Sequence, residues 1–586
     1  MILEELAAHL DVTYPGPAWL STFGVVHAEV VDAGTDGDLD LLHLKRTPTS
    51  DDGWSVVLEV PLGDAIAYWN PRGSGERPQL PADWSGSDAT SFVSSAPMGC
   101  LYDAAGGTLL AFAADEVVHE VNLRFGVWEE GRSFVVRIDL PSGSDEVTLA
   151  LARPGRPFHE SVAQLSGWVR SRRGSSLAVP AAAVEPVFST WYAFGQDLAA
   201  EAVEQEALEA VALGCRSVFV DDGWQELGDG RLYAGVGDWV PDERKFPDLA
   251  GHVGTLHDAG MSVVLWIAPL LLGARSRAHA RLADLAPAFA ERLQCRVLDP
   301  RLRAVREHVV DTCVHLVTHY RLDGLKIDFI DEAMTYAGTP APEDVGDVGV
   351  AVDLLLTALS ERLAAAGRPE TVIEFRQPYA GPGIAVHSNA IRAADCPADA
   401  IANRCSIADL RMSEGAAAVH SDMMMWDPQA STRSVARQLY GGFFAVPQLS
   451  MRLADLSVDH RAVVRAFLSR WRSVRDVVLH GRFVPGAPEA RFPVLRAELD
   501  GRVVVGVYQD VVVPVPARFT ELTLFNATAA PGLVLRPEDG GSRFVRVRVV
   551  DERGHLLAER REQWDTALVA LDVPSSAIVQ VTPSRS

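Results

Sequence analysis

The sequence predicts an α/β protein in which a central (β/α)8 barrel is flanked by an N-terminal β-sandwich and a smaller C-terminal antiparallel β domain. Three observations carry that prediction. The chain has 586 residues, more than one ordinary core holds, and at about 100–200 residues per domain it asks for several domains or one large barrel with companions. Between about residues 185 and 482, eight apolar runs alternate with helical stretches, as in a parallel barrel. On either side, short β segments are separated by Gly, Pro, Asp and Ser. The expected domains are 1–182, 183–484 and 485–586.

The first domain is read from WSVVLEVPL (54–62), TLLAFAA (108–114), FVVRIDL (134–140) and EVTLALA (146–152), with PGRPFHE (154–160) leading into one amphipathic helix. The basic, Gly/Ser-containing SRRGSSLAVP (171–180) reads as a linker. Barrel strands are expected in PVFSTWY (186–192), SVFVDDGW (217–224), SVVLWIAPL (262–270), DGLKIDFI (323–330), TVIEFRQ (371–377), NAIRAADC (389–396), GAAAVHSD (415–422) and FFAVPQLS (443–450). Helical stretches lie between them at 199–214, 305–320 and 348–367, and Gly214 suits a C-cap. No GxGxxG follows an early strand, which weakens the doubly wound alternative. Runs at 503–513, 521–527, 543–551 and 575–583 close the chain in β structure.

Composition narrows the function. Lys plus Arg number 53 against 78 Asp plus Glu, a net charge of −25, which argues against a nucleic-acid or anionic-membrane partner. Six cysteines are scattered without CxxC or zinc spacing, so neither a structural metal nor a disulfide framework is expected. MILEELAAHL is acidic where a secretory signal is basic, and no window holds 18 uninterrupted apolar residues. The expected location is the cytoplasm. No metal or organic cofactor is expected.

Barrel enzymes place their chemistry at the C-terminal ends of the strands. Those positions hold Trp191, Asp221, Asp222, Trp224, Trp266, Lys326, Asp328, Glu374, Arg376, Arg392, Asp395, His420 and Asp422. So many ionisable groups in an apolar barrel cost several kcal/mol each unless paired or used. Lys326 and Asp328, two apart on one strand, share a side, so the ammonium is expected to keep Asp328 ionised for nucleophilic work. Asp395 facing it across a pocket makes the carboxylate pair of glycoside hydrolysis, and indoles offer flat faces to a pyranose. Simpler roles attach to several of these residues: Glu374 pairs with Arg376, His420 reads equally as a structural histidine and as a catalyst, and Met423, Met424 and Met425 are packing. Trp69 and Trp84 are read as core or surface packing, with a lid over the pocket as the alternative.

At VFVDDGWQ (218–225), GDWVPDERKFPDLAGHVGTLHDAGMSVVLWIAPL (237–270) and LKIDFID (325–331) the sequence resembles the family 36 α-galactosidases, or melibiases. They belong to a clan of retaining α-glycosidases that also holds families 27 and 31. The resemblance is dense over about 188–430 and elsewhere only architectural. It implies Asp328 as nucleophile, Lys326 as a contact to sugar hydroxyls, and Asp221 and Asp222 as ligands of the 4- and 6-hydroxyls. It further implies Trp191 and Trp266 as sugar-contacting tryptophans, Arg376 and Arg392 as arginines near the nucleophile and the 2-hydroxyl, and Asp395 as general acid/base. Many family members space that arginine and aspartate by four, whereas Arg392 and Asp395 are three apart and Asp399 follows. Asp399 is expected in the first turn of the next helix, so Asp395 is preferred.

The implied reaction is double displacement on small α-galactosides. Alternatives are the same chemistry on another sugar (α-N-acetylgalactosaminidase, β-L-arabinopyranosidase, α-glucosidase), a transglycosylase, or a non-catalytic sugar binder. A different class is a metal-dependent lyase or racemase with Asp222, Asp328 and Glu374 on Mg²⁺ and Lys326 as base. Family members range from monomers to tetramers, and the short chain favours a small homo-oligomer. The roles of His420 and Asp422 are left open by the sequence.

Overall fold

The computed structural model describes residues 12–13, 22–47, 53–72 and 80–584, apart from Ser142, Arg231, Glu343, Ala416, 539–541 and Thr566. At its centre eight parallel strands follow the order seven-six-five-four-three-two-one-eight. They are Val187–Ser189, Ser217–Val220, Ser262–Ile267, Gly324–Ile327, Val372–Arg376, Ala390–Arg392, Ala418–His420 and Gln448–Leu449. Strand eight pairs with strand one, and a parallel bridge between His420 and Val446 closes the ring on strand seven. Each strand is buried almost throughout, which is why these segments read as continuous apolar runs rather than as alternating ones.

The hydrogen-bonded strands are shorter than the apolar runs that announce them. The first leaves the ladder at Ser189, so Trp191 lies in the short helix Trp191–Phe194 rather than on a strand. The sixth ends at Arg392, which puts Asp395 in the loop beyond it. Helix Ala200–Leu213 ends as expected on Gly214, whose φ of 125° lets its N–H reach the carbonyls of Ala210 and Val211. The excursion after strand three has no counterpart in the sequence pattern: it holds a three-stranded sheet of Leu271–Leu272, Ala288–Ala290 and Cys295–Val297.

Before the barrel, two six-stranded sheets form the sandwich, with Trp54–Pro61, Ser133–Leu140 and Val121–Trp128 in one and Glu146–Ala152, Thr108–Ala114 and Met98–Asp103 in the other. Helix Phe158–Arg173 follows. It takes in the first part of the segment read as a linker, because Arg170 bonds the Ser413 carbonyl and Arg173 pairs with Asp353 at 2.6 Å, fixing the sandwich to the barrel. Trp69 is buried, and its indole N–H donates to Asp409 at 3.0 Å. Trp84 is buried against Val57 and Val135. Both are packing residues and neither covers the barrel mouth. After the barrel, a seven-stranded and a three-stranded sheet complete the chain, largely antiparallel but with two parallel pairings. Among the described residues no helix is long and apolar enough to cross a membrane.

Candidate active site

The loops at the C-terminal ends of the barrel strands enclose a cavity of about 480 Å³. All nine residues singled out as catalytic or substrate-binding line it: Trp191, Asp221, Asp222, Trp266, Lys326, Asp328, Arg376, Arg392 and Asp395.

Strand register explains the convergence. Trp266 stands beside Lys326, and Lys326 beside Glu374, on neighbouring strands. With a period of two, Asp328 and Arg376 are then neighbours one layer higher. Arg376 Nε donates to Asp328 Oδ1 at 2.6 Å, the Phe329 N–H to the same oxygen at 2.8 Å, and Trp266 Nε1 to Oδ2 at 2.9 Å. Burial pushes the Asp328 carboxyl up, but the Arg376 guanidinium and the Lys326 ammonium outweigh it and hold the group at about 2. The direct partner is therefore Arg376. Lys326 instead donates to Asp221 Oδ2 at 2.6 Å and acts on Asp328 only through space.

Asp221 and Asp222 leave strand two together. Asp221 Oδ1 accepts the Asp222 N–H, while Asp222 accepts from Gln225 at 2.7 Å and Gln196 at 2.6 Å. Burial pushes Asp222 up to about 6 against those two amides, and the Asp221 charge adds to the rise. Gly223, at φ 112°, lets the Gln196 backbone close on this loop, since a Cβ there would meet Gln196 Cα at 2.6 Å.

Asp395 is the exposed carboxylate of the cavity, its side chain 57% accessible. Arg392 Nη2 lies 2.7 Å from its Oδ1 and holds it below the usual range. The same guanidinium donates through Nη1 to Asp422 at 2.5 Å. Asp422 is fully buried and also accepts the Cys396 N–H and the Tyr192 hydroxyl, so it anchors the arginine that holds Asp395. Asp399 stands apart, capping helix Ala400–Ser413 by accepting from Ile401 and Ala402.

The remaining strand-end residues serve the walls. Trp224 is fully buried and donates to the Trp266 carbonyl at 2.8 Å, so it supports a cavity-lining indole rather than offering one. Glu374 bonds His420 at 2.6 Å and Gln448 at 2.8 Å inside the barrel and makes no pair with Arg376, while His420 also bonds the Ala183 carbonyl. With Asp222 held by two amides, Asp328 by Arg376 and Glu374 by His420, the donor set of the metal alternative is not assembled. Among the described residues no group of three or more His, Cys, Asp or Glu is placed to hold a metal ion.

Sequence reasoning missed Tyr233, Arg292, Leu293, Phe329, Asp331, Pro378 and Met423, which also line the cavity. Tyr233 stacks near Trp266 and meets Phe329 edge-on. Met423, expected to be packing alone, is buried and accepts from the Ser189 hydroxyl, yet it also faces the cavity. Phe329 and Asp331 lie inside LKIDFID, and the signal available was their closeness to Asp328. Tyr233 sits in a glycine-rich loop with no periodicity to place it.

Residues 178–365 match the family model described as Melibiase. Among curated proteins, alpha-galactosidase 2 of Pediococcus pentosaceus is 28% identical over 162 residues, covering 27% of this chain and 22% of the relative. The bifunctional alpha-galactosidase/sucrose kinase AgaSK of Mediterraneibacter gnavus is 26% identical over 304 residues, covering 48% and 30%. The matched stretches thus span less than a third of these relatives' length. The solved structure of a doubly substituted GH36 alpha-galactosidase AgaA from Geobacillus stearothermophilus, in complex with raffinose, superposes with a TM-score of 0.66 at 16% identity, covering 98% of this chain and 85% of that one. The alpha-galactosidase from Lactobacillus brevis gives 0.64 at 14% identity, covering 99% and 84%. At such identities the superpositions establish the shared fold.

Proposed function

We propose that this chain, a member of the melibiase family with the fold of the family 36 α-galactosidases, is a retaining α-galactosidase that releases terminal α-linked galactose from small galactosides. One observation carries the reading: a buried, ionised carboxylate, Asp328, and an exposed one, Asp395, open on the same aromatic-walled cavity at the barrel mouth.

In the first step an Asp328 oxygen forms a bond to the anomeric carbon. The glycosidic C–O bond breaks, and the leaving oxygen takes its proton from Asp395. Arg376 and Trp266 keep Asp328 ionised and aimed. Asp395 has to carry a proton for this step, and Arg392 works against that. A bound sugar excludes water from the carboxyl, which favours its neutral form, and the Asp328 charge pushes the same way. Once Asp328 is esterified that repulsion is gone, and Asp395 reverts to a carboxylate. It then takes a proton from water as the water oxygen bonds the anomeric carbon, releasing Asp328 and α-galactose. The scattered spacing of the six cysteines supports placing this activity in a reducing compartment, the cytoplasm.

The test is chemical rescue on an aryl α-galactoside. Asp328→Gly should lose turnover and, with azide, yield the β-galactosyl azide. Asp395→Gly with azide should yield the α-azide. Wild-type rates in both variants would overturn the assignment.

A further inference from the structure

The double displacement leaves one carboxylate of the cavity without a task. Asp331 lies three residues beyond Asp328, in the 3-10 turn Ile330–Tyr336. Phe329, at φ 56°, turns the chain there so that both aspartates reach the same cavity. The adjacent Glu332 is spoken for, paired with Arg292. Asp331 is not: its Oδ1 is buried and has no hydrogen-bond partner among the described residues. A buried acceptor left open costs about 1–3 kcal/mol, so its persistence beside a cavity wants an explanation.

Its strongest opposite charge is Arg376. That guanidinium gives Nε to Asp328 and Nη1 to the Gln377 carbonyl, and among the described residues Nη2 has no protein acceptor. The cavity therefore presents an acceptor without a donor and, within electrostatic reach of it, a donor without an acceptor. A hydroxyl satisfies both at once, since it donates one hydrogen bond and accepts others. An apolar group or an ether oxygen cannot do so.

We propose that Asp331, together with Arg376 Nη2, reads one hydroxyl of the bound galactoside and so acts as a specificity-determining residue. The inference rests on the α-galactosidase reading. A site built to pair a hydroxyl discriminates sharply against the analogue that lacks it, because its own polar groups are then left open.

The experiment is a cycle of substrates against variants, measuring kcat/KM on aryl α-galactoside and its 2-, 3-, 4- and 6-deoxy forms for the wild type, Asp331→Ala and Asp331→Asn. In the wild type the deoxy form at the position read should be slower than the parent by about 10- to 100-fold. In Asp331→Ala that penalty should shrink to within about threefold, with the parent substrate falling to meet it, while the penalties at the other positions persist. Asp331→Asn, which keeps the shape and an acceptor oxygen, should fall between. Thermal melting of each variant guards against misfolding, and because Asn is nearly isosteric the cycle does not depend on Ala alone. If all four penalties survive in both variants of an enzyme whose wild type turns over, the Asp331 assignment is overturned alone. A wild type that neither binds nor cleaves α-galactosides overturns the functional reading and this inference with it.

Discussion

Arg376 and Asp328, at the ends of neighbouring barrel strands, form a buried ion pair at 2.6 Å with the guanidinium Nε on one carboxylate oxygen. Arg376 itself lies over the rings of Phe329 and Tyr379, 5.2 and 5.3 Å from their centroids. The role proposed for Asp328 needs both ionisation and a fixed direction, and this pair supplies them in a place where burial alone would favour the neutral acid.

Removing that cation should move the acidic limb of the pH profile. With Arg376→Met, Asp328 keeps the burial that raises its pKa and loses the largest charge that lowers it. The acidic limb of kcat/KM, out of reach near pH 2 in the parent, should climb into the measurable range above about pH 3. Breaking a buried pair costs about 3–5 kcal/mol, so thermal stability should fall as well. Arg376→Lys, which keeps charge but not the fork, should leave the limb lower than Met does. An acidic limb unmoved in the Met variant would show that Lys326 and Trp266 suffice.

Asp395 and Asp399 should separate cleanly. Asp399 caps a helix through two backbone N–H groups, so Asp399→Ala should lower stability by about 1 kcal/mol and leave kcat within about twofold. Asp395→Ala should lose turnover by several orders of magnitude and keep its melting temperature, because its side chain is largely exposed. The opposite pattern would exchange the two roles.

Galactose affinity should respond to pH through Asp222, which burial places at about 6. Below that value the carboxyl carries a proton and one acceptor is lost to the sugar. If only the ionised form binds, affinity at pH 5 should be roughly tenfold weaker than at pH 7. Galactose inhibition measured across this range, flat in Asp222→Asn and sloped in the parent, checks it.

How far the sequence reveals this molecule depends on which forces are local. The sandwich strands 108–114 and 146–152 are readable to the residue, because turn residues flank them and apolar content fills them. Barrel strands are readable in number and order but not in length. Burial continues past the last ladder bond, so PVFSTWY looks like one strand while the ladder ends at Ser189. That the strand-end carboxylates gather at one cavity is legible because strand ends are where barrels place their sites. Their partners are not: giving Arg376 to Asp328 and Lys326 to Asp221 requires the register between strands two, three, four and five, and register is a tertiary property. The excursion after strand three, with Arg292 and Leu293, carries no periodic signal in a stretch that is half exposed.

Stability should also depend on pH through a group that does not line the cavity. Glu414 is 1% exposed at the junction of helix Ala400–Ser413 with helix Phe158–Arg173, and its Oε1 has no hydrogen-bond partner among the described residues. Burial pushes it up to about 7, against Arg170 and a backbone N–H. A carboxyl with a raised folded pKa binds its proton more tightly folded than unfolded. Its contribution is therefore fully present below the unfolded value near 4.5 and is lost as pH rises through about 7. At about 1.4 kcal/mol per unit, the loss between pH 4 and pH 8 is on the order of 3 kcal/mol. Glu414→Gln does not titrate, so the stability of the variant relative to the parent should improve by that order between pH 4 and pH 8. Denaturant unfolding of both proteins at the two pH values measures it. A difference independent of pH would mean that Glu414 is ionised throughout, with Arg170 near enough to outweigh its burial.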